Sequence, residues 1–287
     1  MMRCGSYCRL LSAKILENGF LVDNLTMARY FYLVTALPVL QIGSPPDLSL
    51  QEITFLLETN LSRADLAQVY RVKYFMDIEN IRSFWSGFPL NHEGNFDAAS
   101  LEEALAGRTG LPAYVYDYMD RYENKEDRLK HFASLLSACF REEIARSNGF
   151  MRRMLKTERE QRLVIAALRA KIQGRDPLYE FQYEDSGDPL VAQILAQKDA
   201  KAYDPPEEYQ ELRSLHEQHR EDPLELQKAL TEYRFRKIDE LVGLEVFTLD
   251  RVLAYIFQWI LAEQWILLDR NDGRQIVNTI IQSIAYE

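Results

Sequence analysis

The stretch S-R-A-D-L-A-Q-V-Y-R-V-K-Y-F-M-D-I-E-N-I-R-S-F-W-S-G, from Ser62 to Gly87, decides the fold class. Leu66, Tyr70, Tyr74, Ile78, Ile81 and Trp85 recur every three or four residues, the period of one face of an α-helix. Ser62 is an N-cap residue, because its hydroxyl accepts from a first-turn N–H, and Gly87 offers the left-handed stop. The same grammar repeats in both directions.

Upstream, Ser49 with Glu52 forms a capping-box pattern before Ile53, Phe55, Leu56 and Leu57. Downstream, Ser100 with Glu103 repeats it before a stop at Gly107, and Pro112 suits a first helical turn. Asn124–Ser147 reads as one helix closed by Asn148 and Gly149, and Met151–Gln173 as another ended by Gly174. Asp222 and Pro223 open a helix to Leu241, stopped by Gly243. Thr248 caps the apolar segment that follows, and Gly273 precedes a last amphipathic helix. Only Tyr30–Leu40 reads as a strand, with Pro38 excluding a central position in a sheet. The expectation is an all-α protein of helical hairpins.

Arg251–Leu268 is apolar enough to raise the question of a membrane span, but Gln258, Glu263 and Gln264 interrupt it. A carboxylate at the centre of a bilayer is costly, so the segment reads as a buried core helix. Residues 1–26 carry neither an apolar signal core nor a cleavage site, whereas Met27 opens an ordered-looking run. They are expected to be a misassigned or disordered extension, with native synthesis starting at Met27.

The chain has 287 residues, 34 Lys+Arg against 44 Asp+Glu, and a net charge of −10. That disfavours nucleic acid, which is held by clustered cations and counterion release. The charge is localised. Arg141–Arg175 holds ten basic and four acidic residues; Asp176–Glu225 holds fourteen acidic and four basic. Two readings stay open for the basic helix around Arg152, Arg153, Lys156, Arg159 and Arg162: internal pairing with the acidic stretch, or a docking surface. Three cysteines, Cys4, Cys8 and Cys139, make no disulfide framework and suit a reducing cytosol. The domain reading is helical units over 27–175, a Pro-punctuated acidic linker or excursion over 176–221, and a C-terminal helical unit over 222–287.

Catalytic patterns are scarce. His216 and His219, three apart, lack further metal ligands and read as a solvated helix face. The adjacent pairs Glu102–Glu103 and Glu142–Glu143 point to different faces and read as surface charge. Cys139, within A-S-L-L-S-A-C-F, reads as a packed small hydrophobe. No phosphate-cradling glycine loop and no nucleophile elbow occurs. The expectation is no enzyme, no cofactor and no metal.

Three segments carry a resemblance. F-T-L-D-R-V-L-A-Y-I-F-Q-W-I-L-A at Phe247–Ala262 is followed by Glu263 and an N-D-G-R turn. F-M-D-I-E-N-I-R lies at Phe75–Arg82, and E-R-E-Q-R-L-V-I-A-A-L-R-A-K at Glu158–Lys171. Together they resemble repeat elements of the C-type (eukaryotic d-type) subunits of V/A-type ATPases, while Tyr30–Leu40 and A-L-T-E-Y-R-F-R-K-I-D-E-L at Ala229–Leu241 resemble in particular proteins encoded in bacterial V-type ATPase operons. Arg162 stands where that pattern has Asn. The resemblance implies about three pseudo-repeated helical units forming a funnel, with Asp77, Asn80, Arg82, Tyr255 and Glu263 as structural motif positions. It further implies a non-catalytic central-stalk adaptor between the rotor shaft and the proteolipid ring, cytoplasmic and attached to the inner membrane through the ATPase. Arg152, Arg153, Lys156 and Arg159 are then the candidate partner-binding residues. A soluble helical scaffold or regulator unrelated to the ATPase is the alternative.

Overall fold

The computed structural model describes residues 30–269, and among these there is no strand. Helical residues 30–36 (α1) lead to α2 (Leu50–Asn60), α3 (Arg63–Ser86), α4 (Ala98–Gly107) and α5 (Ala113–Arg121). Then come α6 (Lys125–Lys130), α7 (Phe132–Arg146), α8 (Gly149–Gln173), α9 (Pro177–Glu180) and α10 (Pro189–Ala196). A 3-10 turn at Glu207–Tyr209 precedes α11 (Gln210–Gln218), α12 (Pro223–Val242) and α13 (Leu249–Asp269). The expected extension over 1–26, the N-D-G-R turn and the amphipathic helix after Gly273 lie outside the described residues.

The caps explain most of the boundaries. Ser49 with Glu52 and Ser62 with Asp65 form reciprocal capping boxes, and Gly87 and Gly174 take left-handed C-cap conformations. Asp222 caps α12, and the Thr248 hydroxyl accepts from the Arg251 N–H at 3.3 Å. Four expectations need correction. The 30–40 segment is helical through residue 36, because Leu33 is driven fully into the core and Phe31 packs on Phe247 at 4.8 Å. Those tertiary contacts override the strand preference of its aromatic and β-branched residues. The α4 cap is Asp97, bonded to the Ser100 N–H at 2.8 Å, so Ser100 sits inside the first turn. The Asn124–Ser147 helix breaks at His131, whose ring stacks on Tyr122 and meets the Tyr183 hydroxyl at 2.6 Å. Finally, the inner face of α3 begins with Val69 and Val72, leaving Tyr70 41% exposed.

Two hydrophobic clusters organise the chain. The larger gathers α1–α7 with the first half of α8, the end of α12 and α13. The smaller is built by the second half of α8, the 176–221 excursion and the start of α12. The acidic stretch is therefore folded: Phe181, Val191, Ile194, Tyr203 and Leu212 all turn inward against Val164 and Tyr233. Helices α8 and α12 run through both clusters. With 25 residues, α8 is about 37 Å long, enough to span both. The apolar segment at Arg251–Leu268 is α13, with Val252, Leu253, Ala254 and Ala262 fully buried. No described helix is long and apolar enough to cross a membrane.

Two polar groups expected at the surface are buried. Glu143 accepts from Arg71 Nη2 at 2.8 Å and Nε at 3.1 Å, and the same guanidinium donates to Ser147 at 2.9 Å. His216 is 6% exposed, because α11 packs that face against α8. Burial, with Arg169 and Arg220 nearby, pushes its pKa down. Glu102 and Glu103 are exposed as expected. Cys139 is fully buried with the Tyr114 hydroxyl at 3.5 Å, and burial pushes its thiol up to about 12.

Candidate functional site: a polar node beneath a groove

The site starts on α3. Asp77 and Asn80 lie three apart on one face, both 1% exposed, in a helix otherwise packed with aliphatic side chains. Buried polar groups need partners, and here a loop supplies them. Asp77 accepts from the Asn95 N–H at 2.7 Å and the Asn95 side-chain amide at 2.6 Å. Asn80 donates to the Asn91 carbonyl at 2.8 Å and accepts from the Asn91 N–H at 2.7 Å. These four bonds strap N-H-E-G-N, residues 91–95, onto α3. Gly94 is required there, because a Cβ would lie 2.7 Å from both Asn80 Nδ2 and Asp77 Oδ1. Asp77 and Asn80 thus hold a loop against the helix.

The strap carries Glu93 inside, with 0% exposure. One carboxylate oxygen accepts from Asn91 Nδ2 at 3.0 Å and Gln264 Nε2 of α13 at 3.5 Å; the other, Oε1, has no partner among the described residues. Burial pushes this acid up to about 7, against the pull of the two amides and with the help of Glu263. Asp77 is raised for the same reason, and its Asn95 bonds oppose the rise. Burial also lowers Lys73, whose charge is held by both acids. Three helical and loop elements therefore meet at a carboxyl that changes charge near neutral pH.

Gln264 also faces the other way, into a groove of about 820 Å³ between α3, α8, α12 and α13. The groove lies on the seam between the two clusters, with Met154 and Leu155 of the larger and Leu230 of the smaller in its walls. Its floor is apolar, formed by Phe75, Met76, Phe257, Ile260 and Leu261. Five arginines and three glutamates line it. Arg162 pairs with Glu79 at 3.4 Å, Arg234 with Glu158 at 2.6 Å, and Arg175 with Glu180 at 3.3 Å. Arg82 and Arg169 make no ion pair among the described residues. Gln161 of α8 is 3% exposed and lines the groove, and its Oε1 has no hydrogen-bond partner among the described residues. No described group of three His, Cys, Asp or Glu side chains could hold a metal ion.

Asp77 and Asn80 build this site, and the other residues singled out from the sequence are dispersed around it. Arg159 is drawn into the excursion, bonding Glu184 at 2.7 Å and Asp188 at 2.8 Å. Lys156 pairs with Glu160 on its own helix at 3.6 Å, and Arg153 donates to the Leu241 carbonyl at 3.3 Å. Arg152 is exposed. Arg82 lies at the groove, its guanidinium 5.6 Å from the Phe132 ring centre. Tyr255 is buried with its hydroxyl unpartnered among the described residues, and burial pushes it up to about 12. Glu263 is half-buried near Glu93. Sequence reasoning missed Glu93, Asn91, Asn95 and Gln161. The available signal was the pair Asp77 and Asn80 in an apolar stripe, followed by a loop with oxygen-bearing side chains at 91, 93 and 95.

Comparison with known proteins corrects the resemblance to the C-type subunits of V/A-type ATPases. The chain is 29% identical over 266 residues to an uncharacterized protein of Chlamydia pneumoniae, covering 91% of this chain and 100% of that one. It is 26% identical over 266 residues to uncharacterized proteins of Chlamydia muridarum and of Chlamydia trachomatis, with the same coverage. No solved structure matches it. The matching family model is a different one from that of the ATPase subunits. The segments that carried the resemblance are apolar helix periodicity with one or two polar residues, a pattern many helical proteins share. Matched from residue 27 to residue 286, the chain belongs to the family described as "Protein of unknown function (DUF2764)".

Proposed function

We propose that this protein is a non-catalytic helical adaptor that holds a protein partner in the groove between α3, α8, α12 and α13. The carrying observation is the groove itself: an apolar floor rimmed by arginines, two of them without an internal counter-charge among the described residues, on a chain whose net charge is −10. Its volume is in the range of about 300–1,000 Å³ typical of built recognition sites. Five helices contribute to it, two of them continuous through both clusters, a geometry suited to passing a load between the clusters. The assembly we propose is the stalk of a V/A-type ATPase, with the rotor shaft and proteolipid ring as partners and attachment to the membrane through them. An arrangement of about three helical units around a funnel belongs to the same proposal. None of this returns the chain to the family of the C-type subunits.

The test mixes the purified full chain with the purified shaft proteins and with the detergent-solubilised ring at low salt. Stable association with either, weakened by salt as a charged interface requires, is the expected result. Migration of the chain alone in both mixtures defeats the proposal.

A further inference from the structure

We infer that the groove takes an extended acidic peptide segment of its partner, with apolar side chains on the floor and carboxylates on Arg82 and Arg169. This rests on the adaptor reading and names the chemistry of what is held. Two observations point the same way. Three of the five groove arginines are matched by groove glutamates, so Arg82 and Arg169 are left to face an anion. Guanidinium groups pair with carboxylates in bidentate, charge-assisted bonds, the strongest polar contacts available to an exposed rim. The floor is aromatic and aliphatic, which selects an amphipathic occupant over a simple ion.

Gln161 decides between a peptide and a free amphiphile. Its amide is almost fully buried and its carbonyl oxygen is unpartnered, an arrangement that costs free energy until a donor arrives. An extended peptide brings a carbonyl for the amide hydrogens and, once the side chain turns toward the groove, an N–H for that oxygen. A fatty acid or detergent chain brings neither. A partner helix brings few, because its backbone groups are already paired internally.

The test is calorimetric titration of the full-length protein with two probes, an eight-residue peptide of alternating Glu and Leu and one of alternating Lys and Leu. Saturable one-to-one binding of the acidic probe is expected, with at least tenfold weakening in Arg82→Ala/Arg169→Ala and again in Gln161→Leu. Arg82 and Arg169 are rim residues, so their double variant keeps its melting behaviour and separates binding from folding. Equal binding of the lysine probe overturns the inference, as does failure of the acidic probe to saturate by about 1 mM. Dodecanoate binding that needs the arginines but ignores Gln161→Leu overturns the peptide assignment in favour of a free amphiphile. If shaft or ring binds the protein and the double variant binds it equally well, the adaptor reading stands and this assignment falls. If the acidic probe binds as described and neither shaft nor ring associates, the assignment stands and the adaptor reading falls.

Discussion

Glu93→Gln isolates the buried node from everything else that titrates. In the folded protein Glu93 keeps its proton up to about pH 7, whereas an ordinary glutamate releases it near 4.5. Between those values the native state binds more protons than the unfolded chain, so stability falls as pH rises. The interval is about 2.5 pH units, and each is worth about 1.4 kcal/mol, so the carboxyl removes ~3 kcal/mol between pH 4.5 and 7. That loss persists in full above pH 7. Glutamine has the same shape and no charge, and its amide oxygen still accepts from Asn91. Urea unfolding of the two proteins should coincide at pH 4.5, and at pH 8.5 Glu93→Gln should be the more stable by ~3 kcal/mol. A stability difference of the same size at both pH values refutes this reasoning, because it means Glu93 does not titrate between them.

Three further outcomes follow from the same structure. Arg71→Met leaves Glu143 buried without its guanidinium and should lower stability by about 3 kcal/mol in urea titration, much of it recovered in Arg71→Met/Glu143→Leu. Gly94→Ala places a Cβ 2.7 Å from Asn80 and Asp77, so it should cost about 1–3 kcal/mol and speed amide exchange across residues 91–95. In a Cys4→Ser/Cys8→Ser background, Cys139 should stay unreactive toward thiol reagents at pH 8 and react only on unfolding, since burial holds the thiol at about 12.

Much of the fold was legible because helix ends are local chemistry. Ser49, Ser62, Asp222 and Thr248 act through hydroxyl or carboxylate groups a few atoms from the N–H groups they cap. Where tertiary contacts decide, local reading failed. No glycine or proline marks the break at His131, which is held by Tyr183 from the distant excursion. Leu33 carries 30–36 into the core as a helix although its neighbours favour a strand. Glu143 and His216 looked solvated until α3 and α8 closed over them.

The site was less legible still. The groove joins residues from five helices far apart in the chain, so no spacing announces it. N-H-E-G-N has the composition of an exposed turn, and Asp77 and Asn80 hold it against α3 with Glu93 turned inward. The basic helix had two open readings, and its members end in different surroundings. Arg159 pairs with the acidic stretch, as the internal reading expects, while Arg162 and Arg169 reach the groove.

Site-directed photo-crosslinking in cells that carry the complete ATPase tests the adaptor claim most directly. A benzophenone amino acid at Gln173, exposed on the groove wall, is compared with one at Glu102, exposed on α4 and outside the groove. The adaptor reading predicts a defined crosslink from Gln173 to a shaft or ring protein, lost in Arg82→Glu/Arg169→Glu, and none from Glu102. No crosslink from Gln173, or the same crosslinks from both positions, would contradict it.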